Sequence, residues 1–211
     1  MKNKHLGLFN ATILTICGFI GFLGCFSVVT TDIIGTIVVD GYNPISQTIS
    51  DLAINRKAWI QDIGLNLFAA SFAASGVGFL ILNLGDWKWK TGSILLFVLA
   101  VDILVISEFD KYADLDSFGS TVHFTCVIIL AITFTLMLLL TAGGLSKVSQ
   151  NWRIFNLAIA FIWAATAPFF FVISNSWNGA YERFLSLIVI VWVARASKLL
   201  FSKSKPSSIL R

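Results

Sequence analysis

Charge is the scarcest ingredient of this chain. Its 15 Lys and Arg and 11 Asp and Glu amount to 12% of 211 residues, against about a quarter in an ordinary soluble domain. With 57% of the residues hydrophobic, a soluble fold of this length would have no core large enough to hide them. Histidine is rarer still: His5 and His123 are the two present, so a membrane zinc hydrolase, which needs about three ligands around an open position, lacks its ligands, and no metal is assigned. Cys17, Cys25 and Cys126 show no paired spacing and define neither a disulfide framework nor a metal motif. They read as small buried side chains. The period-two alternation of an outer-membrane barrel is missing as well. The basic start MKNKH leads into an apolar run that no small-x-small cleavage site closes, so it reads as an uncleaved first helix.

What is present is length without charge. Six apolar runs, at about 8–30, 62–84, 91–108, 119–142, 154–173 and 181–201, each approach the twenty or so residues that cross a hydrocarbon layer of about 30 Å. In lipid, continuous runs of this kind satisfy their backbone as helices. The expected fold is all-α: one integral membrane domain over 1–211, a polytopic bundle of six transmembrane helices.

Basic residues favour the cytoplasmic side. With the N-terminus inside, Arg56, Lys57, Lys111 and Arg183 fall outside, and the other Lys and Arg residues fall inside. Asp32, Asp40, Asp51, Asp62, Glu108, Asp110, Asp114, Asp116 and Glu182 lie at the outer level. Both termini are therefore expected in the cytoplasm, and the location is the bacterial inner membrane. The basic residues are divided among helix ends, which excludes a nucleic-acid patch and makes the bilayer the first partner. Trp59, Trp87, Trp89, Trp152 and Trp177 fall near the interfaces, whereas Trp163 and Trp192 lie deeper, between helices. Small residues from Ala69 to Gly78 place the second helix centrally, and Pro168 interrupts the fifth. No three-plus-three repeat is visible.

Polar residues that break these runs are the candidates for chemistry. In the first outer loop, GYNPISQTISDLAINRKAW, the residues Ile45, Ile49 and Leu52 recur at helical spacing after Pro44, and Ser46, Ser50 and Asp51 supply polar groups. A short amphipathic helix is expected there. Asp102 lies well inside the third span, where a charge costs roughly 2.5 kcal/mol or more and calls for a partner, a proton or a wet cavity. Arg195 is the basic residue nearest in depth, and an Asp102–Arg195 pair is the structural alternative to a proton or ion site. Glu108, Asp110, Asp114 and Asp116 precede His123 at the start of the fourth span, where carboxylates can set an imidazole's tautomer for acid–base work. Arg183, beside Glu182 at the outer rim, calls for a carboxylate or an anionic head group.

These residues carry a resemblance over nearly the whole chain. The stretch Pro44, Ser46, Ile49, Ser50, Asp51, Leu52 matches a P-x-S-x-x-I-S-[DE]-L pattern. Phe109 with Asp110, then His123, Arg183 and Trp192, follow in the order of a bacterial family of six-helix membrane proteins of unknown function, DUF998, which the chain resembles. The Pro of that family's F-P-x-D stretch is absent here and the Phe to Asp spacing is shorter, so Asp114 competes with Asp110 for the role. The resemblance implies six helices and a shared outer polar cluster; it implies no activity and no cofactor.

Three functions remain in competition. One is a module that binds a small ligand, a lipid or a membrane-protein partner, using Ser46, Ser50 and Asp102 among others. The second is an enzyme acting on a lipid or isoprenoid head group, with His123 as base, Asp51 or Asp110 orienting it and Arg183 holding an anion. The third is a small transporter using Asp102.

Overall fold

The computed structural model of the chain describes residues 2–54, 57–109 and 116–204, with side chains from residue 7 onward. Six helices long and apolar enough to cross a membrane organise it: α1 (Lys2–Val38), α2 (Trp59–Leu82), α3 (Trp87–Phe109), α4 (Phe118–Ser146), α5 (Gln150–Thr166) and α6 (Asn178–Lys203). Among the described residues there is no strand. The helices pack as neighbours in sequence, α1 on α2, α2 on α3, α3 on α4 and α4 on α5, and α6 closes the ring against α1 while also touching α2 and α5. With six helices alternating in direction, Lys2 of α1 and Lys203 of α6 lie at one end of the bundle, here the proximal end. The connections α1–α2, α3–α4 and α5–α6 make up the distal end.

Close approach between α1 and α2 depends on glycine. A Cβ on Gly64 would fall on Oγ1 of Thr31, and one on Gly24 would fall on the Leu67 carbonyl, so larger residues would push the two helices apart. Aromatic rings fill the centre. Trp192 stacks on Phe72 at 6.4 Å and meets Phe134 edge-on at 5.7 Å. A polar network threads the same layer: buried Asn156 donates to the Leu138 carbonyl and to Thr141 Oγ1, and its Oδ1 accepts from the Trp192 indole.

Four expectations are corrected. The first helix does not stop at Thr30 but runs to Val38. The polar Thr-Thr-Asp interruption is absorbed because Asp32 finds a cation across the bundle. In place of a helix starting after Pro44, turns lead to a single 3-10 turn, Ser50–Ile54. Ile49 and Leu52 are buried, while Ile45 stays exposed. Trp89 is not an interfacial ring: it is 1% exposed, stacked on Phe79 at 4.8 Å, with its indole donating to the Phe79 carbonyl. Arg195 does not reach Asp102, because α6 is not a neighbour of α3. Its guanidinium lies instead over the rings of Phe155 and Trp152 on α5, 3.9 and 4.6 Å from their centroids. At Pro168 the fifth helix tightens into a 3-10 turn, Ala167–Phe171, and Tyr181 donates its hydroxyl to the Thr166 carbonyl at that junction.

Candidate functional site

The distal end holds two polar groupings. The first ties the α1–α2 loop to α6. Arg183, in the second turn of α6, sends Nε and Nη2 to the two oxygens of Asp32 at 3.0 and 2.7 Å, the planar fork matching the carboxylate. Its Nη1 donates to the carbonyls of Pro44, Gln47 and Gly179, and Nη2 also reaches the Tyr42 hydroxyl. Every guanidinium N–H therefore has an acceptor within the chain. Glu182 accepts from the Ile49 N–H at 2.6 Å, and the Ala180 N–H, an orphan donor of the first helical turn, is satisfied by the Ile45 carbonyl.

Inside the loop, Asp51 and Thr48 bond reciprocally: Asp51 Oδ2 accepts from the Thr48 N–H, and Thr48 Oγ1 accepts from the Asp51 N–H. Ser50 is buried at the start of the 3-10 turn and Ser46 is half-buried. Leu52 fits against Gly35 of α1, where a Cβ would crowd it. Gly179 does the same for the loop backbone, since a Cβ there would fall on the Gln47 carbonyl. Tyr42 donates toward the Gln47 and Thr48 carbonyls. Burial pushes its hydroxyl up to about 12, with the Arg183 guanidinium pulling the other way. The Pro-x-Ser-x-x-Ile-Ser-Asp-Leu stretch thus forms a strap, and Asp32, Glu182 and Arg183 fasten it.

The second grouping lies on α2, α3 and α4. Asp102 is 6% exposed, and Cys126 of α4 lies against its carboxyl. Its Oδ2 has no hydrogen-bond partner among the described residues. His123, one turn from Cys126 on α4, is also buried and meets the Phe124 ring edge-on. The antiparallel α3–α4 register set by Asp102 and Cys126 brings His123 level with Val105, within a turn of buried Ser107, whose hydroxyl is likewise without a partner. On α2, Gln61 is 1% exposed and neither end of its amide is paired. Beside Asp102, a groove of roughly 450 Å³ opens sideways between α3 and α4, walled by Ile94, Phe97, Val98, Val101, Val105 and Ile129. Asp102 is the polar residue in its lining.

The sequence-predicted residues therefore separate. Asp51 and Arg183 belong to the strap; His123 and Asp102 belong to the α3–α4 interface. Asp110 and Asp114 lie outside the described residues, and Glu108 and Asp116 are exposed. Among the described residues no three His, Cys, Asp or Glu side chains gather as a metal-binding set. Sequence reasoning missed the roles of Asp32, Tyr42, Gln61, Ser107 and Asn156. Asn156 carried a usable signal, being an amide inside an apolar span. Gln61 and Ser107 carried little, because helix ends near an interface are expected to be polar.

A family model described as "Protein of unknown function (DUF998)" matches residues 22–197. No curated protein and no solved structure matches the chain.

Proposed function

The chain belongs to the DUF998 family, and from that premise we propose that it is a lipid-binding membrane module that draws an amphiphile from the bilayer into the α3–α4 groove. The observation that carries this reading is Asp102, a buried carboxyl with one oxygen unpartnered among the described residues, in the lining of an otherwise apolar groove beside α3. Burying a carboxyl with one oxygen left unpartnered is costly. A hydroxyl or amine on a bound amphiphile would supply the donor, while Val98, Val101 and Val105 line the path of its chain. Arg183 has no part in this reading, since its donors are committed to the strap.

Native mass spectrometry of the protein purified in mild detergent and offered a total bacterial lipid extract tests the reading. The expected result is one retained amphiphile per chain, lost in Asp102→Leu and in Val98→Trp, which narrows the groove from its exposed wall. Retention at parental occupancy in both variants, or no retained amphiphile in the parent, would overturn it.

A further inference from the structure

At the proximal end, far from the groove, a second cavity of roughly 540 Å³ lies where the α2–α3 and α4–α5 connections meet. Lys88, Lys147 and Arg153 line it. All three are exposed, and among the described residues none has a carboxylate partner. Lys88 rests beside the Trp87 ring, 5.8 Å from its centroid. One acid, Asp86, shares the lining, with Oδ1 engaged by the Lys88 N–H at 3.0 Å. With three cations against one acid, the lining carries an excess of positive charge.

Its floor is backbone. A Cβ placed on Gly143 would meet nothing within 4 Å, so the cavity opens directly above that residue. Trp89, whose indole N–H is already held by the Phe79 carbonyl, supplies a flat wall and no donor. Leu139 and Leu157, also in the lining, are exposed on the apolar flanks of α4 and α5 and lead from the charged rim toward the membrane interior. A cationic rim, an open glycine floor and apolar exits in one place match the plan of a phospholipid.

We infer that this cavity is a binding site for the head group of an anionic phospholipid, with Lys88, Lys147 and Arg153 on the phosphate and an acyl chain along Leu139 and Leu157. Basic pockets between transmembrane helices take such head groups, and each Lys or Arg near an anionic surface adds about 1 kcal/mol, or about fivefold in affinity. Arg153 adds a fork suited to phosphate oxygens. The site shares no residue with the α3–α4 groove, so the two readings stand or fall separately.

The test uses the full chain in detergent, titrated with dioleoyl phosphatidylglycerol, dioleoyl phosphatidylcholine or inorganic phosphate, and followed by native mass spectrometry and thermal melting. Phosphatidylglycerol is expected to bind and raise the melting temperature, and the zwitterionic lipid to do neither. The variant carrying Lys88→Ala, Lys147→Ala and Arg153→Ala should bind about a hundredfold more weakly. Gly143→Leu, which keeps all three cations and fills the floor, should also lose the lipid-dependent shift. A control carrying Lys90→Ala and Lys198→Ala, exposed cations that do not line the cavity, should keep it. Equal binding of phosphatidylcholine, equal loss in the control, or retention in the triple variant would overturn the site. A full shift with inorganic phosphate alone would overturn the lipid and leave a free-anion pocket.

Discussion

Two polar groupings sit at the same end of this bundle and are built on opposite terms. Around Arg183, five donors meet six acceptors. Around Asp102, Ser107 and Gln61, four side-chain atoms are buried with no partner in the described chain. A saturated network fixes a structure, and its loss exposes unmet groups. Unsatisfied polar atoms in an apolar setting cost stability, and each calls for a reason of its own. The strap is therefore read as architecture, and the α3–α4 region is where the proposed ligand would act.

The largest expected effect tests the saturated side. Arg183→Ala strands Asp32 and the Pro44 carbonyl together, and removal of one partner from a mostly desolvated pair costs on the order of 3 kcal/mol. Thermal melting in detergent should show a large drop, and Arg183→Lys, which cannot span the fork, should recover little of it. Asn156→Ala is next. It leaves the Trp192 indole N–H unpaired in the core, for a loss of about 1 to 2 kcal/mol, read by the same melts.

On the unsatisfied side the sign reverses. Gln61→Leu is expected to raise stability by about 1 kcal/mol, because it removes a buried amide that has no partner among the described residues. A fall as large as that of Arg183→Ala would erase the distinction between the regions. The smallest effect concerns pH. The folded Tyr42 holds its proton up to about 12, whereas an unfolded tyrosine releases it near pH 10. Its contribution is thus complete below about pH 10 and is lost as pH rises toward 12. Tyr42→Phe should flatten that alkaline decline in melts taken between pH 9 and pH 12.

Most of the fold was legible because a membrane span is a one-dimensional signal. Runs of apolar residues located all six helices, and errors were confined to ends such as Thr30, where a polar triplet looked like a stop. That triplet continued as helix because Asp32 is neutralised by a residue 151 positions away, which no local pattern reveals. The same limit governs the site. His123, Asp51, Asp102 and Arg183 were each visible as polar residues at the right depth, yet depth alone does not say which helix faces which. Asp51 and Arg183 share a level with His123 but belong to a different seam of the bundle. Gln61 and Ser107 escaped notice because their identities are ordinary at a helix end; burial makes them unusual.

The contrast rests most directly on Asp102. Asp102→Leu and Arg183→Ala should be melted side by side, each with and without the bacterial lipid extract. The expected outcome is that Asp102→Leu alone melts at or above the parent temperature and no longer gains stability from lipid, while Arg183→Ala melts far lower. If Asp102→Leu is instead destabilised as severely as Arg183→Ala and still gains the parental stabilisation from lipid, Asp102 is a structural residue and the groove is not a lipid site.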